Sequence, residues 1–271
     1  MMRSLWSAAS GMIAQQANVD TIANNLSNVN TTGYKNEKAE FKTLLYQNIQ
    51  TRTTTANGEE KPIPAQVGLG TRVMAITSSF GQGPLLASES NTAFAVSGDG
   101  FFAVRREDGN TYYTRNGDFK LSIGNQGTML ATAEGYPVLD TQGQPIIFPA
   151  EVTGSNLEVA SDGSLGYRDP RNNYVALNRT VGLFQFNNPA GLEKMGSSLF
   201  AETAASGAAL NEATANNVQR SELRQKFLEG SNVQVADEMV NLIIAQRAYE
   251  MNSKAIQASD EMLGQANQLR R

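Results

Sequence analysis

Apolar residues recur at intervals of seven at both ends of the chain, while the stretch between them alternates short β-prone runs with turn residues. Leu5, Met12, Val19 and Leu26 mark the first end; Val235, Leu242, Tyr249, Ile256 and Leu263 mark the last. A seven-residue apolar repeat describes helices that lie along other helices in a shallow left-handed coil. The spacing therefore predicts two long terminal helices that pair with each other as a coiled coil. The first runs from Ser4 to about Val29, with Ala8, Ile22 and Val29 three positions after the seven-spaced set. Only Arg3 and Asp20 are charged in its first thirty residues, fewer than a solvated surface helix carries, so enclosure on several sides is expected.

The last helix, read over Val235 to Leu269, has a second apolar set in Ile244, Ala248, Met251, Ala255, Ala258 and Met262. It starts two residues from Leu242, about 200° around a helix of 3.6 residues per turn. One partner helix covers only one of two opposed stripes. The other needs a second cover, which neighbouring copies of the chain supply in a helical polymer or ring; the competing cover is the β region of the same chain. Ser231 and Asn232 are read as caps, with Gln234, Asp237 and Glu238 in or near the first turn.

Between the helices, candidate strands Phe101–Arg105, Thr111–Arg115, Phe119–Ile123, Thr128–Thr132 and Tyr136–Leu139 are separated by turn pairs such as Asp108-Gly109 and Asn116-Gly117. Such pairs between β-prone runs are hairpin signals, and spacing of about 8–12 residues suits a small antiparallel sandwich or barrel. Further strands are predicted at Leu157–Ala160, Val181–Phe186 and around Lys226–Leu228. Residues 40–49 read as a further helical segment, and 50–70 as an extended polar stretch too long for an ordinary connection. The fold class is thus α+β: terminal helices over 1–45 and 231–271, an extended connecting region over 46–93 and 201–230, and an all-β domain over 94–200.

Composition narrows the chemistry. The 271 residues hold no cysteine and no histidine, which removes thiolate nucleophiles, zinc-thiolate sites, and the commonest general base and metal ligand. No metal, no cofactor and no catalytic residue is expected. A formal net charge of −4 gives no basic field for nucleic acid. Ser10-Gly11 and Gln15-Gln16 interrupt the early apolar residues, so a cleaved secretory signal is not expected. The carboxylates Asp99, Asp118, Glu134 and Asp162 are the candidates for glycan hydrolysis, but Asp99 and Asp162 read as turn formers.

Two long motifs carry a family resemblance. Ile22-Ala23-Asn24-Asn25-Leu26-Ser27-Asn28-Val29-Asn30-Thr31-Thr32-Gly33-Tyr34-Lys35 resembles the N-terminal signature of flagellar rod and hook proteins, and Ala245-Gln246-Arg247-Ala248-Tyr249-Glu250-Met251-Asn252-Ser253-Lys254-Ala255 its C-terminal counterpart. Ser97-Gly98-Asp99-Gly100-Phe101-Phe102 and Tyr113-Thr114-Arg115-Asn116-Gly117 are similar to the family's β domain. The opening Met1-Met2-Arg3-Ser4-Leu5-Trp6 is most similar to distal-rod members, with proximal-rod members as the alternative. The resemblance implies a structural subunit of the basal-body rod, exported by the flagellar type III apparatus without a cleaved signal and polymerised into a hollow shaft across the periplasm. It implies as partners further copies of the chain, proximal rod proteins, the hook protein and its cap, and the periplasmic and outer-membrane rings. The residues expected to carry assembly are Leu5, Met12, Val19, Ile22, Leu26, Val29, Val235, Leu242, Tyr249, Met251, Ile256, Met262 and Leu263. The family turn would be formed by Asn24, Asn25, Asn28, Asn30, Thr32, Gly33 and Tyr34.

Overall fold

The computed structural model describes residues 2–50, 65–124, 127–149, 152–169, 171, 173–215 and 218–269. Residues 51–64, most of the polar stretch expected over 50–70, lie outside the described residues. The chain is α+β, with helix α1 (Met2–Ser27) and helix α2 (Val235–Gln268) on either side of a β-rich region. It forms two compact units, one of residues 1–27, 37–78 and 234–271 and one of residues 28–36 and 79–233. The expected connecting region is divided between them.

In the first unit α1 and α2 pack together, and α1 also packs on a ribbon of strands β1 (Glu37–Thr43) and β4 (Thr71–Ser78). β1 and β4 pair antiparallel from Glu37 opposite Ser78 to Thr43 opposite Thr71, with a bulge at Glu40 and Phe41. Strands β2 (Tyr46–Gln50) and β3 (Ala65–Gly68) form a second antiparallel pair. Residues 40–43 and 46–49 are therefore strand, joined at Leu44 and Leu45, and not helix. Phe41, Leu44, Leu45 and Ile49 have helical spacing, but the ladders to β4 and β3 satisfy the strand backbone instead, and a short apolar run does not distinguish the two. Gly70 explains the close fit of the ribbon on α1: its φ is +106°, and a Cβ there would sit 2.0 Å from Ser10 Oγ.

Predicted helix limits are close to those observed, with α1 ending at Ser27 before Val29. The caps differ. Gln234 occupies the N-cap of α2 without a side-chain bond, whereas Ser231 Oγ accepts from Val233 N, and Asn232 bonds Asn36 N, Ser79 O and Gly81 O within the second unit. Those side chains close the loop before the helix instead of starting it.

In the second unit, six antiparallel strands form one sheet in the order Glu193–Gly196, Leu199–Ala201, Thr111–Thr114, Phe101–Arg105, Leu183–Gln185, Leu210–Asn211. Side chains alternate across a strand, so Phe102 and Val104 enter one apolar cluster and Phe101 and Ala103 the other. Both faces are covered, which is why Phe101–Val104 is an unbroken apolar run. Tyr136–Leu139 was expected as a strand; it forms only isolated bridges, Ala131 to Pro137, Val104 to Val138 and Leu139 to Pro145.

Candidate assembly site

Residues of the expected assembly set occupy two environments in the first unit. Ile22 is buried, and Leu5, Met12, Val19, Leu26, Leu242, Ile256 and Leu263 are half-buried. Val235, Tyr249, Met251 and Met262 are exposed. Val19 and Tyr249 line an open cleft with Gln16, Gln246 and Glu250 instead of closing a seam. Val29 belongs to the second unit, past the end of α1.

Three contacts fix how the helices face each other. Ser4 Oγ lies 3.3 Å from Ser259 Oγ, a Cβ on Gly11 would lie 2.9 Å from Asn252 Nδ2, and Asn25 Nδ2 donates to Glu238 Oε2 at 3.4 Å. Each step along α1 is matched by an equal step back along α2, so the helices run antiparallel in one register. On α2 the most enclosed residues are Glu238, Ala245 and Ser259, in step with Asn252 at intervals of seven. This polar and small set was missed because apolar spacing was the signal sought.

A second set of large apolar side chains points outward. Trp6 and Ile13 of α1 are 66% and 69% exposed, and Ile244 and Met251 of α2 are 61% and 65% exposed. Met239, Val240 and Ile243 are also exposed. So many exposed large apolar side chains on two helices are what an association surface requires.

Asn24 and Asn25 sit in α1, not in the turn that follows. Asn24 is exposed and its amide reaches Glu37 Oε2 at 3.5 Å. Asn25 is 1% exposed; its Nδ2 donates to Glu37 O at 2.8 Å, and its Oδ1 accepts from Glu37 N at 2.9 Å. The side chain thus pairs with the start of β1 as a strand backbone would.

The turn itself is built in the second unit. Thr31 N donates to Asn28 O at 3.1 Å and Tyr34 N to Thr31 O at 3.3 Å, while Thr32 Oγ1 donates to Asn116 Oδ1 at 3.0 Å. Asn30 is exposed. Gly33 has φ +70°, its N donates to Glu229 O at 2.8 Å, and a Cβ would meet Asn116 N at 2.6 Å. Only glycine fits both the left-handed backbone and the close approach.

Lys35, the last residue of the motif, enters a buried charge cluster. Its Nζ donates to Glu229 Oε1 at 2.7 Å and Gly81 O at 2.9 Å. Arg115 Nη1 lies 3.3 Å from Glu229 Oε2, and its guanidinium stands 4.9 Å from the centre of the Phe101 ring. Gly83 N adds a bond to Glu229 Oε1 at 3.0 Å. Burial pushes both cations below their ordinary pKa, and the Glu229 carboxylate opposes the shift. Among the described residues no three Asp, Glu, His or Cys side chains converge to hold a metal ion.

A helix pair that exposes a second set of large apolar side chains, in a chain whose β-rich unit is held by a buried charge cluster, describes a structural protein that assembles. Comparisons with known proteins give the family. Residues 5–35 match the flagella basal body rod protein family, residues 95–167 the D1 domain of the flagellar hook protein FlgE/F/G, and residues 224–269 the C-terminal region of the flagellar basal body rod FlgEFG proteins. The chain is 46% identical to the flagellar basal-body rod protein FlgG of Borreliella burgdorferi and 35% identical to that of Bacillus subtilis, in both cases over the whole of each chain. It is 32% identical, again over both full lengths, to the flagellar hook-basal body complex protein FlhP of Bacillus subtilis. The chain belongs to the flagellar basal-body rod protein family.

Proposed function

We propose that the chain is a structural subunit of the distal rod, polymerising with its own copies through α1 and α2 into a hollow shaft that transmits torque. The observation that carries this reading is the outward set Trp6, Ile13, Met239, Val240, Ile243, Ile244 and Met251, because burying such side chains is worth about 1.5–3 kcal/mol each and a monomer leaves them in water. Left-handed coiled-coil packing joins Leu5, Met12, Ile22 and Leu26 to Leu242, Ile256 and Leu263, and Val235, Tyr249, Met251 and Met262 face neighbouring copies. The β-rich unit, sandwich-like in having two apolar clusters, forms the outer layer. Its neighbours are the proximal rod proteins, the hook protein and cap, and the surrounding periplasmic and outer-membrane rings, reached after type III export without a cleaved signal.

The role is mechanical, not catalytic. Asp118 pairs with Lys120 at 2.8 Å, and Asp162 accepts from Ser164 N at 3.0 Å within its turn. The bonds from Ser164 hold the Asp162 carboxyl below the usual carboxylate range, the reverse of what a glycosidase proton donor requires. Electron microscopy of concentrated protein tests the assembly reading: straight tubes are expected from the native chain and none from Ile244→Asp or Met251→Asp. Exposed positions were chosen so that monomer circular dichroism stays unchanged; tubes formed by both variants would overturn the proposal.

A further inference from the structure

Asn25 and Glu238 do something the apolar pattern does not require. Both are buried although one is an amide and the other a carboxylic acid, and they meet across the helix pair near the end of α1 and the start of α2. Asn25 is held from a third side, since its amide bonds both the N–H and the C=O of Glu37 at the start of β1. Three elements therefore converge on one side chain. Thr21 Oγ1, one turn earlier, donates to Ala17 O within α1, whereas Asn25 bonds both β1 and α2.

We propose that the Asn25–Glu238 contact is a register lock, a specificity-determining pair that selects one antiparallel alignment of α1 and α2 among those a seven-residue repeat allows. A repeat of seven is degenerate: sliding one helix by one repeat restores the same apolar contacts, and a buried polar residue is the device that distinguishes such states. The three contacts Ser4 to Ser259, Gly11 to Asn252 and Asn25 to Glu238 belong to a single alignment. A slide of one repeat that brings Ser4 opposite Ala266 sets Asn25 opposite Ala245 and moves Glu238 beyond the end of α1. The opposite slide brings Ser4 opposite Asn252 and moves Asn25 beyond the start of α2. In either case Asn25 and Glu238 part, while Asn25 remains tied to β1. The inference rests on the terminal helices working as a pair, the reading given above, but it concerns their alignment and not the polymer.

The chain has no cysteine, so disulfide trapping reports alignment without interference. One repeat is roughly 10 Å along a helix, beyond the reach of a disulfide, whose Cα atoms stand within about 7 Å. Three full-length double variants are oxidised: Ser4→Cys with Ser259→Cys for the native alignment, and Ser4→Cys with Ala266→Cys or with Asn252→Cys for the two slides. In the native background the first bridge should exceed either of the others by about tenfold or more. Adding Asn25→Leu and Glu238→Leu, which keep the positions filled and apolar, should raise a slid bridge to within about threefold of the native one. Helical circular dichroism of the Leu variants checks that the helices persist. Slid bridges as frequent as the native one without the Leu changes would overturn the proposal, as would retention of the full native preference with them. Failure of the polymer reading reads out separately, as absence of tubes with this preference intact.

Discussion

Replacing Glu229 by Ala removes the one carboxylate that two buried cations share. Its oxygens lie 2.7 Å from Lys35 Nζ, 3.3 Å from Arg115 Nη1 and 3.0 Å from Gly83 N, and the side chains of all three charged residues are 1% exposed or less. Lys35 would keep the Gly81 carbonyl, and Arg115 the face of Phe101. Removing one partner of a buried ion pair costs about 3–5 kcal/mol because a charge is left uncompensated; with two cations stranded, about 4–5 kcal/mol is expected. For a unit of this size that lowers the midpoint of melting by roughly 10–15 °C. Near-ultraviolet circular dichroism follows the loss, since the aromatic clusters belong to the same unit. Replacing Lys35, Arg115 and Glu229 together by Met should cost less than Glu229→Ala alone, because no buried charge then remains. The pH dependence has a definite sign. Lys35 titrates below its ordinary 10.5, so between its folded pKa and 10.5 the unfolded chain holds the extra proton and stability rises with pH. Without Glu229 the Lys35 pKa falls further and the window opens at lower pH, so Glu229→Gln should recover stability from neutral to alkaline pH more than the native chain does. A loss below about 1 kcal/mol in Glu229→Ala, or a triple variant as damaged as the single one, would refute the account of the cluster.

Two further outcomes follow from local geometry. Tyr113 is pushed up to about 12 by burial, so its contribution is intact below pH 10 and lost as pH rises through 12; ultraviolet titration of Tyr113→Phe should lack one late-ionising phenol, and the variant should lose less stability in that interval. Gly33 and Gly109 both have positive φ, but a Cβ on Gly33 meets Asn116 N at 2.6 Å whereas one on Gly109 meets nothing within 4 Å. Gly109→Ala should therefore cost about 1 kcal/mol and Gly33→Ala several times that in urea unfolding; equal costs would show that backbone conformation alone matters at Gly33.

The ends of the fold were legible because a seven-residue repeat, running along helices of 26 and 34 residues, fits a long helix far better than a strand. Which side of each helix faces inward was not legible. Ile244 and Met251 are as apolar as Leu242 and Ile256, and apolarity states that a side chain seeks cover without naming the neighbour that provides it. Glu238, Asn252 and Ser259 keep the same period but carry polar atoms, so a search for apolar spacing passes over them. In β1 the failure has another cause. Phe41, Leu44 and Leu45 fit a helix locally, but Phe41 is strand because its partner lies some thirty residues away at Thr71–Ser78. The charge cluster is the extreme case: Lys35, Arg115 and Glu229 are ordinary charged residues until folding brings them together.

Burying polar and small residues between α1 and α2 while leaving large apolar ones outside has an energetic consequence for a subunit that assembles. The helix pair taken alone gains little from the contacts of Ser4 with Ser259 and of Asn25 with Glu238, modest hydrogen bonds worth about 0.5–1.5 kcal/mol each. On the assembly proposed above, a second copy that covered Ile244 and Met251 would bind the paired form and not the unpaired one, and would stabilise pairing by mass action, by about 2.7 kcal/mol at a hundred times its dissociation constant. Pairing and polymerisation would then be one coupled equilibrium. A seam of leucines alone would hold the helices together in every free subunit and let their alignment slide. With polar atoms at Asn25 and Glu238 among them, the proposed lock would make the pair particular in alignment, so that the neighbouring copy would favour closure and the seam would set its register.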